Sequence, residues 1–181
     1  MEFLSELWMP IVVSAVFVFV ASALLHMVVP HHKGEWKGLA NEDAVLGNLK
    51  GVPPGQYMFP FCDMAQMKDP AMQERLKNNP IGVLTIWPGQ ANMGQNLGLS
   101  FLVYLVIGVF VAYLSWHARG GMTDYMSTFR IAGTAAFMAH GLGILTHMVW
   151  YRVKGFWAYL LDNLVYALLT AGVFGWLWPV G

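Results

Sequence analysis

Residues 8–29 read WMPIVVSAVFVFVASALLHMVV, a run with no Asp, Glu, Lys or Arg. An α-helix rises about 1.5 Å per residue and a bilayer's hydrocarbon core is about 30 Å thick, so about twenty such residues reach from one side to the other. The run is apolar on every face, which marks a span rather than an amphipathic surface helix. Pro10 falls in its first turn, where the missing N–H has no partner to lose, and Pro30 closes it. Glu2 and Glu6 precede it without a Lys or Arg, so the Ala21-Ser22-Ala23 triplet is read as part of a retained span and not as a signal-peptidase site.

Three further stretches outward from this one have the same character: 97–116, 131–151 and 156–178. The chain of 181 residues is 57% hydrophobic and 11% charged, against about a quarter charged in soluble domains. These features predict an all-α, polytopic membrane protein: four transmembrane helices in one membrane domain, 1–181, with short interfacial helices in a long loop, 31–96. Trp8, Trp116, Trp150, Trp157, Trp176 and Trp178 stand at span ends, where indole rings favour the headgroup boundary. Lys33, Lys37, Lys50, Lys68, Arg75, Lys77, Arg152 and Lys154 fall on one side and only Arg119 and Arg130 on the other. Positive charge marks the cytoplasmic side, so the loop is expected inside and both termini outside.

The loop carries structure of its own. Asn41 as cap, Glu42 and Asp43 in a first turn, Lys50 in a last turn and Gly51 beyond it spell one short helix. Asp69-Pro70 opens a second, which Asn78, Asn79 and Pro80 close. The apolar segment Ile81 to Trp87 is too short to span and is expected at the interface or beneath the bundle. Cys62 is the single cysteine, so no intrachain disulfide and no thiolate cage is possible, and it is read as a free thiol. In the third span Ala135, Ala139 and Gly143 recur at four-residue spacing, with Ala132, Gly133 and Ala136 beside them, a face that lets another helix of the bundle or another subunit approach closely. Ala167, Ala171 and Gly175 repeat it more weakly.

Several motifs together, GLANEDAV at 38–45, Pro53-Pro54-Gly55-Gln56-Tyr57 leading to Pro60-Phe61-Cys62, Met67-Lys68-Asp69-Pro70, Asn79-Pro80-Ile81-Gly82, Asn92-Met93-Gly94 and the closing run 168–178, cover nearly the whole chain. In these the chain resembles an uncharacterised family of small four-span bacterial inner-membrane proteins. The resemblance implies the bacterial inner membrane as location, with periplasmic termini and a cytoplasmic loop. It implies no activity.

An ionisable group in hydrocarbon costs on the order of 3 kcal/mol, so each needs a reason. His26, His147 and Asp162 stand within spans, with His140 and Asn163 close by, and counting along the helices puts the first three in one layer near the cytoplasmic edge. The simplest expectation is a polar clasp in which Asp162 accepts from His147. The alternative is a cofactor site, with His26 and His147 as axial ligands of a b-type haem or as ligands of a metal and Asp162 orienting one imidazole. Adding His140 gives a third form, a proton relay. His31, His32 and His117 are expected at the water boundaries, solvated.

Phosphate-binding glycine loops, zinc-protease helices, nucleophile elbows and haem-attachment motifs are absent from the sequence, and Gly120-Gly121 reads as the turn between the second and third spans. Formal net charge is zero, with no basic surface for nucleic acid. The function expected is a non-catalytic membrane subunit packing against a larger complex, for example one of energy transduction, or against its own copies in the bilayer, without a cofactor. The rivals are the haem, metal or proton-relay protein and a small oligomeric channel or carrier.

Overall fold

The apolar run that opens the chain is one helix, α2 (Trp8–Met27), in the computed structural model; a short helix, α1 (Glu2–Glu6), precedes it. The structure describes residues 2–118 and 124–179; the expected Gly120-Gly121 turn and Arg119 lie outside the described residues. Beyond α2 the chain turns at Pro30, whose ring cannot continue a helix, and forms a single 3-10 turn, Pro30–His32. Gly34, at φ +89°, ends the turn in the left-handed region that glycine adopts without penalty.

Residues 38–92 are a compact unit of their own. Helix α3 (Glu42–Leu49) occupies the first position expected, with its two acidic residues in the first turn. Helix α4 (Pro70–Asn78) occupies the second, and Asp69 caps it by accepting a hydrogen bond from the Ala71 N–H at 3.0 Å. The all-α expectation is corrected here. Strand β1 (Gly55–Phe59) pairs antiparallel with β2 (Gly82–Ile86), with Tyr57 opposite Leu84 and Phe59 opposite Gly82. The segment expected to lie at the interface is therefore a strand. Its alternating exposure and β-branched Val83, Thr85 and Ile86 suit a pleated element of five residues. The Phe59 ring covers Gly82, where a Cβ would come within 2.6 Å of the ring edge and push the ring aside.

Residues 1–37 and 93–181 make the second unit. Helix α5 (Met93–Ala118) covers the second expected span and α8 (Phe156–Trp176) the last. Between them α6 (Tyr125–Phe137), a π-helical turn (Met138–Leu142) and α7 (Gly143–Tyr151) follow one another with right-handed backbone at each join, so the expected third span is an interrupted helix. Asp124 caps α6 through the Ser127 N–H and hydroxyl, and those hydrogen bonds hold its carboxyl below the usual range. Each of α2, α5, α6 and α8 packs on two others, α2 with α5 and α8, and α6 with α5 and α8, which closes a four-membered bundle. Among the described residues, three helices, α2, α5 and α8, are long and apolar enough to cross a membrane. Their outward faces are apolar, with Val16, Val20, Val103, Phe110 and Leu168 all exposed, a surface that lipid accepts and water does not.

The core gathers Leu7, Ile11, Val111, Ala112, Ala132, Ala136, Ala167 and Phe174. Gly133 sets the close approach of α6 to α8, where an added Cβ would stand 3.0 Å from the Ala171 methyl, and Ala132 and Ala136 are fully buried on α6. The row Ala135, Ala139, Gly143 does not share this face: Ala139 and Gly143 are exposed. The π turn between them has a wider repeat than an α-helix, so a four-residue spacing across it rotates off the packing stripe.

Candidate metal centre

Asp162, on the second turn of α8, is 1% exposed. A buried carboxylate must be matched by donors or cations, and the turn after α2 supplies them. His31 Nε2 stands 2.6 Å from Asp162 Oδ1 and His32 Nε2 stands 2.8 Å from Oδ2. From the last turn of α2, His26 Nε2 reaches to 3.9 Å of Oδ2. The His26 ring lies stacked on His32 at 4.5 Å, the His31 ring is tilted on it at 4.2 Å, and Tyr159 meets His32 edge-on at 5.1 Å.

The far nitrogen of each ring is also engaged. His26 Nδ1 donates to the Ser22 carbonyl at 3.0 Å, His31 Nδ1 to the Val29 carbonyl at 3.3 Å, and His32 Nδ1 to Glu35 Oε1 at 2.6 Å. Carbonyl oxygens only accept, so the first two bonds place the hydrogen on Nδ1. Three imidazoles thus have Nδ1 fixed outward and Nε2 turned toward one buried carboxylate. This is the arrangement in which histidine ligates a metal, with the second nitrogen held by a carbonyl or carboxylate behind it. Ligand atoms of His26, His32 and Asp162 all lie within 4.8 Å of one another.

In the metal-free arrangement Nε2 of His31 and His32 must carry protons to meet Asp162. For His32, burial disfavours the charged ring, but hydrogen bonds to Asp162 and Glu35 and their negative charge outweigh it, so His32 titrates above its ordinary value. A charged His32 then sets a positive charge between Asp162 and Glu35. A divalent cation brings positive charge to the same place, with neutral imidazoles.

The local sequence explains the geometry. Pro30 stops α2 one turn after His26, and the 3-10 turn swings the next two residues back onto α8. Glu35 reaches His32 from three residues on, and its carboxylate lies over Gly155, a position at φ +93° where a Cβ would collide with it. His147, expected beside Asp162, is exposed with its ring 4.4 Å from Tyr151, so the carboxylate accepts from His31 and His32 instead. His140 stands apart, its ring 5.9 Å from Tyr104 and 5.6 Å from Tyr166. Asn163 is buried against Gly141, and its amide nitrogen has no hydrogen-bond partner among the described residues. No protein-family model, curated protein or solved structure matches the chain.

Proposed function

We propose that this chain is a multi-pass membrane protein of the bacterial inner membrane that binds one divalent transition-metal ion through His26, His31, His32 and Asp162. The observation that carries the reading is the set of three imidazoles whose Nδ1 groups are tied to Ser22, Val29 and Glu35 while their Nε2 atoms meet at a buried carboxylate. Three nitrogens and one oxygen suit Zn²⁺ or Cu²⁺, and a thiol or thioether ligand of the kind that selects Cu(I) is not part of the set. Binding displaces the proton that His32 holds at Nε2, so affinity rises with pH.

In this proposal α2, α5, α8 and the α6–α7 path cross the bilayer, with both termini periplasmic and residues 31–96 cytoplasmic. The distribution of Lys and Arg supports that orientation. The metal centre then lies at the cytoplasmic end of the bundle. The haem alternative draws no support from His26 and His147: the first is stacked on His32 and the second lies tilted against Tyr151. A packing role keeps Ala139 and Gly143, which are exposed, while Ala132 and Ala136 are buried within the bundle and Gly133 lies against Ala171.

The test is metal titration of the full chain purified in lipid and stripped with chelator, using Co²⁺ read by its visible ligand-field bands and Zn²⁺ in competition. One ion per chain is expected, lost in Asp162→Asn and His32→Ala and kept in His147→Ala. A wild-type protein that takes up no stoichiometric ion overturns the reading.

A further inference from the structure

Glu35 faces two ways. Its carboxylate holds His32 Nδ1 on one side and, on the other, lines a pocket of ≈ 270 Å³ with Trp36, Arg152, Val153, Lys154 and Tyr159. Metabolite sites run from about 300 Å³ upward, so this space suits a polar headgroup rather than a whole cofactor. Two cations stand in its wall, and neither forms an ion pair with a carboxylate among the described residues. The one acid there is already engaged by His32.

Arg152 also stands where an arginine is unexpected. It ends α7 at φ 51°, with its N–H returned to the Met148 carbonyl, a left-handed cap that glycine or asparagine normally fills. An L side chain is disfavoured in that conformation, so the position carries a guanidinium at the expense of a better cap. Trp36, Val153 and Tyr159 give the pocket an apolar and aromatic wall, and Trp36 is 90% exposed. Exposed indoles beside cations belong at headgroup depth.

We propose that this pocket holds the phosphate of an anionic phospholipid headgroup and that its occupancy tightens the metal centre through Glu35. The second half rests on the metal reading; the first does not. The guanidinium fork binds two phosphate oxygens in parallel and Lys154 adds a point charge. With the pocket empty Glu35 already holds the His32 Nδ1–H, and the two cations beside it draw on its negative charge and weaken it as an acceptor. An occupied pocket neutralises them and leaves Glu35 to hold the His32 Nδ1–H, which keeps Nε2 turned to the ion. Linkage is reciprocal, so the loaded metal centre retains the lipid more strongly in turn.

The experiment uses the full chain in nanodiscs of phosphatidylcholine alone or with phosphatidylglycerol, comparing wild type with an Arg152→Gly, Lys154→Gln double variant; the glycine suits the left-handed backbone and both side chains are exposed. Native mass spectrometry reads retained phosphatidylglycerol on metal-free protein, and Co²⁺ titration reads affinity. Retention by the wild type and its loss in the variant, with Co²⁺ affinity raised about five-fold or more by phosphatidylglycerol in the wild type alone, is expected. Equal retention by the variant overturns the pocket. Inorganic phosphate that raises Co²⁺ affinity equally in phosphatidylcholine overturns the lipid as its source. Selective retention with unchanged Co²⁺ affinity overturns the coupling, and selective retention with no Co²⁺ uptake in either lipid overturns the metal reading while leaving the pocket standing.

Discussion

At Asp162 the balance of charge is decided by single atoms. Each oxygen meets an imidazole Nε2, and each imidazole is held from behind, so substitutions at the front and at the back of the centre have different signatures. Glu35→Gln keeps the shape but weakens the acceptor behind His32, and a drop in metal affinity of about 10–100-fold is expected, the range for a partner behind a ligand. The pH response follows from His32, which faces Asp162, Glu35, His26, His31 and Tyr159. Its value is raised in the folded, metal-free protein, so its contribution to stability is full below the ordinary histidine value of about 6.5 and is lost as pH rises through the folded value. Metal binds the neutral rings, and its contribution runs the other way. Thermal unfolding between pH 6 and 8 is therefore expected to show a falling Tm without metal and a growing Tm increment on metal addition.

At the scale of elements, the centre depends on where α2 stops. Pro30→Ala removes the block to helix continuation, and a continuous helix carries His31 and His32 away from Asp162. Circular dichroism is expected to show unchanged or slightly greater helix content, with metal affinity down by at least about tenfold, the scale set by loss of orienting contacts. The α7–α8 turn matters from the other side. Gly155→Ala puts a methyl where the Glu35 carboxylate lies, in backbone at φ +93°, and the left-handed conformation alone costs about 1–2 kcal/mol. Loss of both stability and metal affinity is expected, measured by thermal unfolding and Co²⁺ titration. Unchanged Co²⁺ affinity would mean that Glu35 does not orient His32.

For the whole molecule, the proposed orientation has a direct check in the single thiol. Cys62 lies in the 38–92 unit and is partly exposed. A membrane-impermeant maleimide is expected to label it in inside-out vesicles and not in intact cells, while Ser5→Cys in a Cys62→Ser background shows the reverse pattern. Labelling of Cys62 from outside reverses the topology and moves the metal centre to the periplasmic end.

Hydropathy alone located α2, α5 and α8 to within a few residues, because the length needed to cross hydrocarbon is written in composition and does not depend on which way a residue faces. The Asp69 cap located α4 and the acidic pair Glu42-Asp43 located α3 for a similar reason, since both signals act within a turn; the Asn41 side chain makes no cap hydrogen bond, and Lys50 falls just past the last turn. The strand pair escaped because β2 is specified by a partner more than twenty residues away, and a run of five residues does not announce it. The small-residue row divides at the π turn, where the helical repeat changes, which leaves Ala139 and Gly143 exposed and open to another helix. Asp162 and His26 were legible as groups needing a reason, and depth could be counted along a straight helix. Direction around the helix axis could not, and the reversal at Pro30 that carries His31 and His32 off the water boundary onto Asp162 is a tertiary event. The sequence by itself determined the apolar helices and the buried acid; which imidazoles answer that acid was decided only when the chain folded back on itself, because a buried charge selects its partners by position in space and not by spacing in sequence.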